Sequence, residues 1–150
     1  MVFPIDGPNG IGLASSDTTL YVAQTFEGRV WKWELAGPGE FAQASGDDGN
    51  LLTGPGGGQL LTGLPGYQLL DSMAVDSAGN VCVATLMNGG ITVISPDGAS
   101  VEHFPTPDQL TTNICFGGPD LQTAYITLTS LGKLVAMDWP RPGLKLHYDA

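Results

Sequence analysis

Asp71-Ser72-Met73-Ala74-Val75-Asp76-Ser77-Ala78-Gly79-Asn80-Val81-Cys82-Val83-Ala84-Thr85 sets two apolar runs around a polar turn, all behind a carboxylate. Met73–Val75 and Val81–Ala84 have the composition of short strands. Between them, Asp76–Asn80 carries the Asp, Ser, Gly and Asn residues that supply turn geometry. The stretch therefore predicts a β-hairpin with Asp71 at its mouth.

The same unit occurs twice more. Asn9-Gly10-Ile11-Gly12-Leu13 leads through Ser15-Ser16-Asp17 to Leu20-Tyr21-Val22-Ala23, and Asn113-Ile114-Cys115-Phe116 leads through Gly117-Gly118-Pro119-Asp120 to Ala124-Tyr125-Ile126-Thr127. A further apolar strand follows each hairpin across a Gly-containing turn, at Arg29–Trp33, Ile91–Ile94 and Lys133–Met137. A repeat of about forty residues built from several short strands is the signature of a β-propeller blade. The fold class expected is all-β, with about three blades, and superposing the copies sets Asn9, Asp71 and Asn113 at one position.

Composition agrees. The 150 residues are 42% hydrophobic, enough for one ordinary core, and 22 glycines with 11 prolines suit tight turns better than helices. Fifteen acidic against five basic residues leave a net charge of -10, which repels phosphate backbones and argues against nucleic acid as a partner. It suits a cation or a neutral small ligand, and also serves plain solubility. Cys82 and Cys115 are expected to pack as buried free thiols, since two cysteines make no disulfide framework. With no apolar run of about twenty residues and no signal-peptide pattern, the expectation is a soluble chain without a membrane partner. The cytoplasm is favoured, with the natural start of the protein left open.

Residues 1–150 read as one partial domain. Met1–Ile5 suits the last strand of a preceding blade, and the Gly- and Pro-rich stretch from Gly37 to about Gly66 reads as an insertion loop between blades. Ser95-Pro96-Asp97-Gly98 signals a hairpin into an outer strand at Ser100–Phe104, which places His103 away from any channel. Trp31 and Trp33 alternate on one strand face and are expected to pack on a neighbouring blade or sheet. Asp47-Asp48-Gly49-Asn50 lacks the alternating ligands of a calcium loop and reads as polar loop. The prolines of Trp139-Pro140-Arg141-Pro142-Gly143 take the chain off the third blade. Leu144–Ala150 then forms a tail, carrying a solvated His147.

First strands of propeller blades line the central channel, so residues at their mouths converge. Asn9 and Asp71 would offer hard oxygen donors there, suited to Ca²⁺, Mg²⁺ or Mn²⁺. Side chains of these types also begin strands simply by capping turns, and spacing alone does not choose between the two roles.

Pro8-Asn9-Gly10-Ile11, Leu20–Ala23, Gly28–Trp31, Ala74–Asn80, Asn88–Ile91, Thr112–Gly118 and Asp138–Gly143 together resemble the C-terminal half of the gluconolactonase family. This family is also called the senescence marker protein 30, or regucalcin, family. The resemblance implies half of a six-bladed propeller and a hydrolase that opens sugar-acid lactones or related small esters. It implies one divalent cation (Ca, Mg, Mn or Zn) held by Asn9 and Asp71, with Asp71 also the catalytic base. Asn113 matches a variable family position and is expected to line the channel or contact substrate. The family's usual Pro-Asp-Gly is Leu70-Asp71-Ser72 here, and Gln24 stands where many relatives carry an acid. The family's Glu ligand belongs to a half that this chain lacks, so the chain is expected to need that half, or self-association, to act. The alternative is a non-catalytic propeller module that binds a partner, because one fold hosts many functions.

Overall fold

The computed structural model describes residues 1–42 and 53–147. Its strands form three antiparallel sheets, each a blade of consecutive strands. Blade 1 comprises β1 (Pro8–Leu13), β2 (Thr19–Gln24), β3 (Arg29–Gly37), the two-residue β4 (Glu40–Phe41) and β5 (Gln59–Gly63). Blade 2 runs β6 (Leu69–Val75), β7 (Val81–Leu86), β8 (Gly90–Ile94) and β9 (Val101–Pro105); blade 3 runs β10 (Thr111–Gly117), β11 (Thr123–Leu128) and β12 (Lys133–Asp138). All three expected hairpins are present. The innermost strands β1, β6 and β10 lie side by side in that order. None of the described helices is long and apolar enough to cross a membrane.

Between blades, packing follows the strand alternation. Tyr21, Ala23, Val30 and Leu61 of blade 1 close on Leu70, Met73, Val75, Val81 and Val83 of blade 2. From the other face of blade 2, Cys82, Ala84, Ile91 and Val93 meet Ile114, Ala124, Ile126 and Leu128 of blade 3. Strand β7 therefore reads as an unbroken apolar run, because odd and even residues both face a neighbour. Fully burying a Val or Leu side chain stabilises by roughly 1.5–3 kcal/mol, so these two seams fix the angular spacing of the inner strands.

The 37–66 stretch is more ordered than a loop reading allows. Strand β3 continues to Gly37, Glu40–Phe41 folds back on it, and Gln59–Gly63 pairs with Arg29–Lys32 as the fifth strand of blade 1. Residues 43–52, including Asp47–Asn50, lie outside the described residues. The glycines that concealed the strand have a steric purpose. A Cβ at Gly54 would stand 2.2 Å from the Trp31 ring, and one at Gly58 would stand 2.6 Å from that of Trp33. Trp33 Nε1 donates to the Pro55 carbonyl at 3.0 Å, and Trp31 Nε1 to Gln24 Oε1 at 2.8 Å. Thus the two indoles share a face as expected, but the chain's own Gly-Pro turn covers them rather than a neighbouring blade.

Three other expectations change. Met1–Ile5 forms no strand. Cys82 is buried, whereas Cys115 is exposed, because β10 turns it away from the seam that Ile114 enters. The terminal segment returns to the sheet at its root: Gly143 bridges Asp76, and Leu144 N–H donates to the Val75 carbonyl at 3.0 Å. His147 is exposed, as expected, and its Nε2 lies 2.6 Å from Asp17 Oδ2.

Candidate active site

Each inner strand carries one extra residue at the same rung of its ladder. In blade 1, Pro8 pairs with Gln24 and Ile11 with Val22, so Asn9 and Gly10 together oppose Ala23. In blade 2, Leu70 pairs with Thr85 and Met73 with Val83, so Asp71 and Ser72 oppose Ala84. In blade 3, Thr111 pairs with Leu128 and Ile114 with Ile126, so Thr112 and Asn113 oppose Thr127. β-Bulges re-aim side chains and recur beside active sites. Three in register mark one level of the channel.

That register places Asn9 and Asp71 at one position, as the sequence superposition does, but Asn113 falls one residue later, level with Gly10 and Ser72. The residue level with Asn9 and Asp71 is Thr112. Sequence comparison alone slips here because an extra residue within a strand looks like a change in turn length.

Strands β1 and β6 approach closely at this level. A Cβ at Gly10 would stand 2.5 Å from the Asp71 carbonyl oxygen and 3.0 Å from Met73 N, so only glycine lets the backbones meet. Asn9 is exposed and Asp71 half-buried. Among the described residues neither side chain has a hydrogen-bond or ion-pair partner, unlike Asp76 and Asp108, which several N–H groups hold. Unused oxygen lone pairs on adjacent strands are what a hard cation requires. The donor chemistry fits a site of Ca²⁺ or Mg²⁺ type in which Asn9 and Asp71 supply two of about six or more oxygens. Among the described residues, no three His, Cys, Asp or Glu side chains converge to supply the rest.

Asn113 is exposed at the same channel level; its Oδ1 accepts from the Ile114 N–H at 2.8 Å, and its amide N–H groups have no partner among the described residues. Behind the bulges the inner strands line an open pocket of about 320 Å³, walled by Ile11, Met73, Ile114 and Phe116 and floored by Leu144 and Leu146. The sequence reading missed this floor because it depends on the tail crossing beneath all three blades. Elsewhere the carboxylates do structural work. Burial pulls the Asp108 carboxyl upward, but hydrogen bonds from Leu110 N–H, Leu131 N–H and Ser130 outweigh it and hold the group below its ordinary range. Burial pushes the Cys82 thiol far up, with the nearby Asp76 charge adding to it. Cys82 is no nucleophile.

Comparison with known proteins finds lactonases and the same all-β architecture. A pentonolactonase from Haloferax volcanii is 39% identical over 59 residues, covering 39% of this chain and 20% of that protein. A 6-deoxy-6-sulfogluconolactonase from Pseudomonas putida is 36% identical over 75 residues, covering 49% of this chain and 26% of that protein. The fold superposes on a gluconolactonase from Xanthomonas campestris with a TM-score of 0.67 at 24% identity, over 93% of this chain and 40% of that one. The chain thus spans well under half the length of these relatives. The SMP-30/gluconolactonase/LRE-like region matches residues 1–130, and this chain belongs to that family.

Proposed function

We propose that these three blades carry the Asn9 and Asp71 side of the active site in a divalent-cation-dependent hydrolase of the gluconolactonase type. Its substrate is a sugar-acid lactone or a related small ester. The observation that carries this reading is the pair of oxygen-bearing side chains on adjacent inner strands, at matched bulges and without partners among the described residues. The lactonase names of the relatives support it.

A cation held there by Asn9 and Asp71 would polarise the lactone carbonyl and acidify bound water. The Asp71 carboxylate, the only charged side chain of the three bulges, would orient the attacking water and take its proton as the C–O bond forms. The ring C–O bond then breaks, and the departing oxygen takes up a proton to give the open hydroxy acid. Asn9, neutral, contributes ligation without adding charge. Asn113 lines the channel with free N–H donors that can hold substrate. Closed propellers have about four to eight blades, so we infer that turnover needs the blades that complete the ring, or association with a second copy.

The test uses the complete protein. Asp71→Asn should abolish lactone hydrolysis while preserving the fold, and Asn9→Ala should mainly weaken cation affinity in calorimetric titration. Near-normal turnover by Asp71→Asn at saturating metal would refute the role given to Asp71. Absence of any metal-dependent hydrolysis in the wild type would favour a binding module instead.

A further inference from the structure

The segment from Trp139 to His147 touches the turn that ends each of the three inner hairpins. Trp139 N–H donates to the Gln122 carbonyl at 2.7 Å, and Gly143 N–H to that of Leu121 at 2.9 Å, both in the blade 3 turn. In the blade 2 turn, Ser77 N–H donates to the Pro142 carbonyl at 2.8 Å and Gly143 bridges Asp76. His147 then reaches Asp17 in the blade 1 turn. All three turns lie three or four rungs beyond the bulges, about 10–13 Å at roughly 3.3 Å per rung.

The contact with blade 2 is made on the channel side. Asp76 N–H bonds the Asn80 carbonyl, so by the alternation of an antiparallel ladder the polar groups of Val75 point away from β7, toward the inner edge. Leu144 N–H takes up the Val75 carbonyl there. The segment is therefore built into the end of the channel and not laid over the outside of the blades. Gly143 is required at this place, because a Cβ would collide with Phe116 of blade 3. Two anchors hold the approach: Trp139, buried with ring centroids 4.5 Å from Phe104 and 6.0 Å from Phe116, and Arg141 on Asp76. Beyond Gly143, Leu144 packs on the seam between blades 1 and 2, and Leu144 and Leu146 line the pocket beneath the bulges.

We propose that residues 139–147 are a strap that closes the far end of the channel, so that ligand and solvent reach the level of Asn9 and Asp71 through the bulge end alone. This goes beyond the lactonase reading and holds whichever ligand the channel takes.

In the complete protein, Met73→Cys places a thiol on the pocket wall between the bulges and the strap, and Ser72→Cys places one at the bulge level. Each is combined with Leu144→Gly and Leu146→Gly, which remove the apolar floor and keep the Trp139 and Arg141 anchors. A small charged thiol reagent is applied, and mass mapping separates the introduced thiol from Cys82 and Cys115. Removing the floor should speed labelling of the Met73→Cys site about tenfold, as the opening of a protected region does, and leave the Ser72→Cys site unchanged. Equal acceleration at both sites, or none at either, would overturn the inference. Should the two leucine substitutions together prevent folding by thermal melting, Leu146→Ser alone carries the same comparison.

Discussion

Arg141 Nε donates a hydrogen bond to Asp76 Oδ2 at 2.8 Å, tying the exit from blade 3 to the turn of blade 2 across 65 residues of sequence. Asp76 is fully buried and also accepts from Ala78 N–H, Asn80 N–H and Asn80 Nδ2. The neighbouring backbone follows: Ser77 N–H bonds the Pro142 carbonyl, and Leu144 N–H that of Val75. Removing the guanidinium leaves a buried carboxylate short of its cation, so Arg141→Ala should destabilise by about 2–4 kcal/mol. Arg141→Lys should recover only part, having lost the planar fork. Urea unfolding measures both, and an Arg141→Ala midpoint equal to wild type would show that the tie contributes nothing.

Gly10 sits where β1 meets the Asp71 backbone, with no room for a methyl group. Gly10→Ala should force the inner strands apart, destabilising by about 1–3 kcal/mol, and should shift Asp71 relative to Asn9. Cation affinity in the complete protein should then fall further than the equally small change Gly39→Ala lowers it, since Gly39 has open space around it. Calorimetric titration of both variants decides this.

Asp108 contributes stability that depends on pH. Its folded-state carboxyl lies below the ordinary value of about 3.9, so on acidification the unfolded chain takes up this proton first. The contribution is fully present above the ordinary carboxylate value, and is lost as pH falls through the lower folded one. Asp108→Asn should be less stable at neutral pH, and its stability should decline less steeply below about pH 4. Parallel slopes for the two proteins in that window would exclude Asp108 as a contributor.

The two thiols should react very differently. Cys115 is exposed, while burial holds Cys82 protonated and inaccessible. For the chain of residues 1–150, a thiol reagent near neutral pH should label one cysteine quickly and the second only on unfolding. Fast labelling of both under native conditions would contradict the seam between blades 2 and 3.

Much of the architecture was legible in the residues because it is local. The apolar run Val81–Ala84, the Asp76–Asn80 turn chemistry and the repeated spacing state a strand, a turn and a blade without reference to anything distant. Asp71 and Asn9 were legible for the same reason, as oxygen-bearing residues at the mouths of two such units. What only the tertiary structure decided depends on pairing partners far away in sequence. Gln59–Gly63 is a strand because β3 offers it an edge, although its glycine-rich approach reads as loop until Trp31 and Trp33 are seen beneath Gly54 and Gly58. Thr112, and not Asn113, is level with Asp71, because a bulge can be counted only against the opposing strand. Cys115 faces outward for a related reason: the period-2 alternation is local, but which phase meets the seam is set by the blade it packs against.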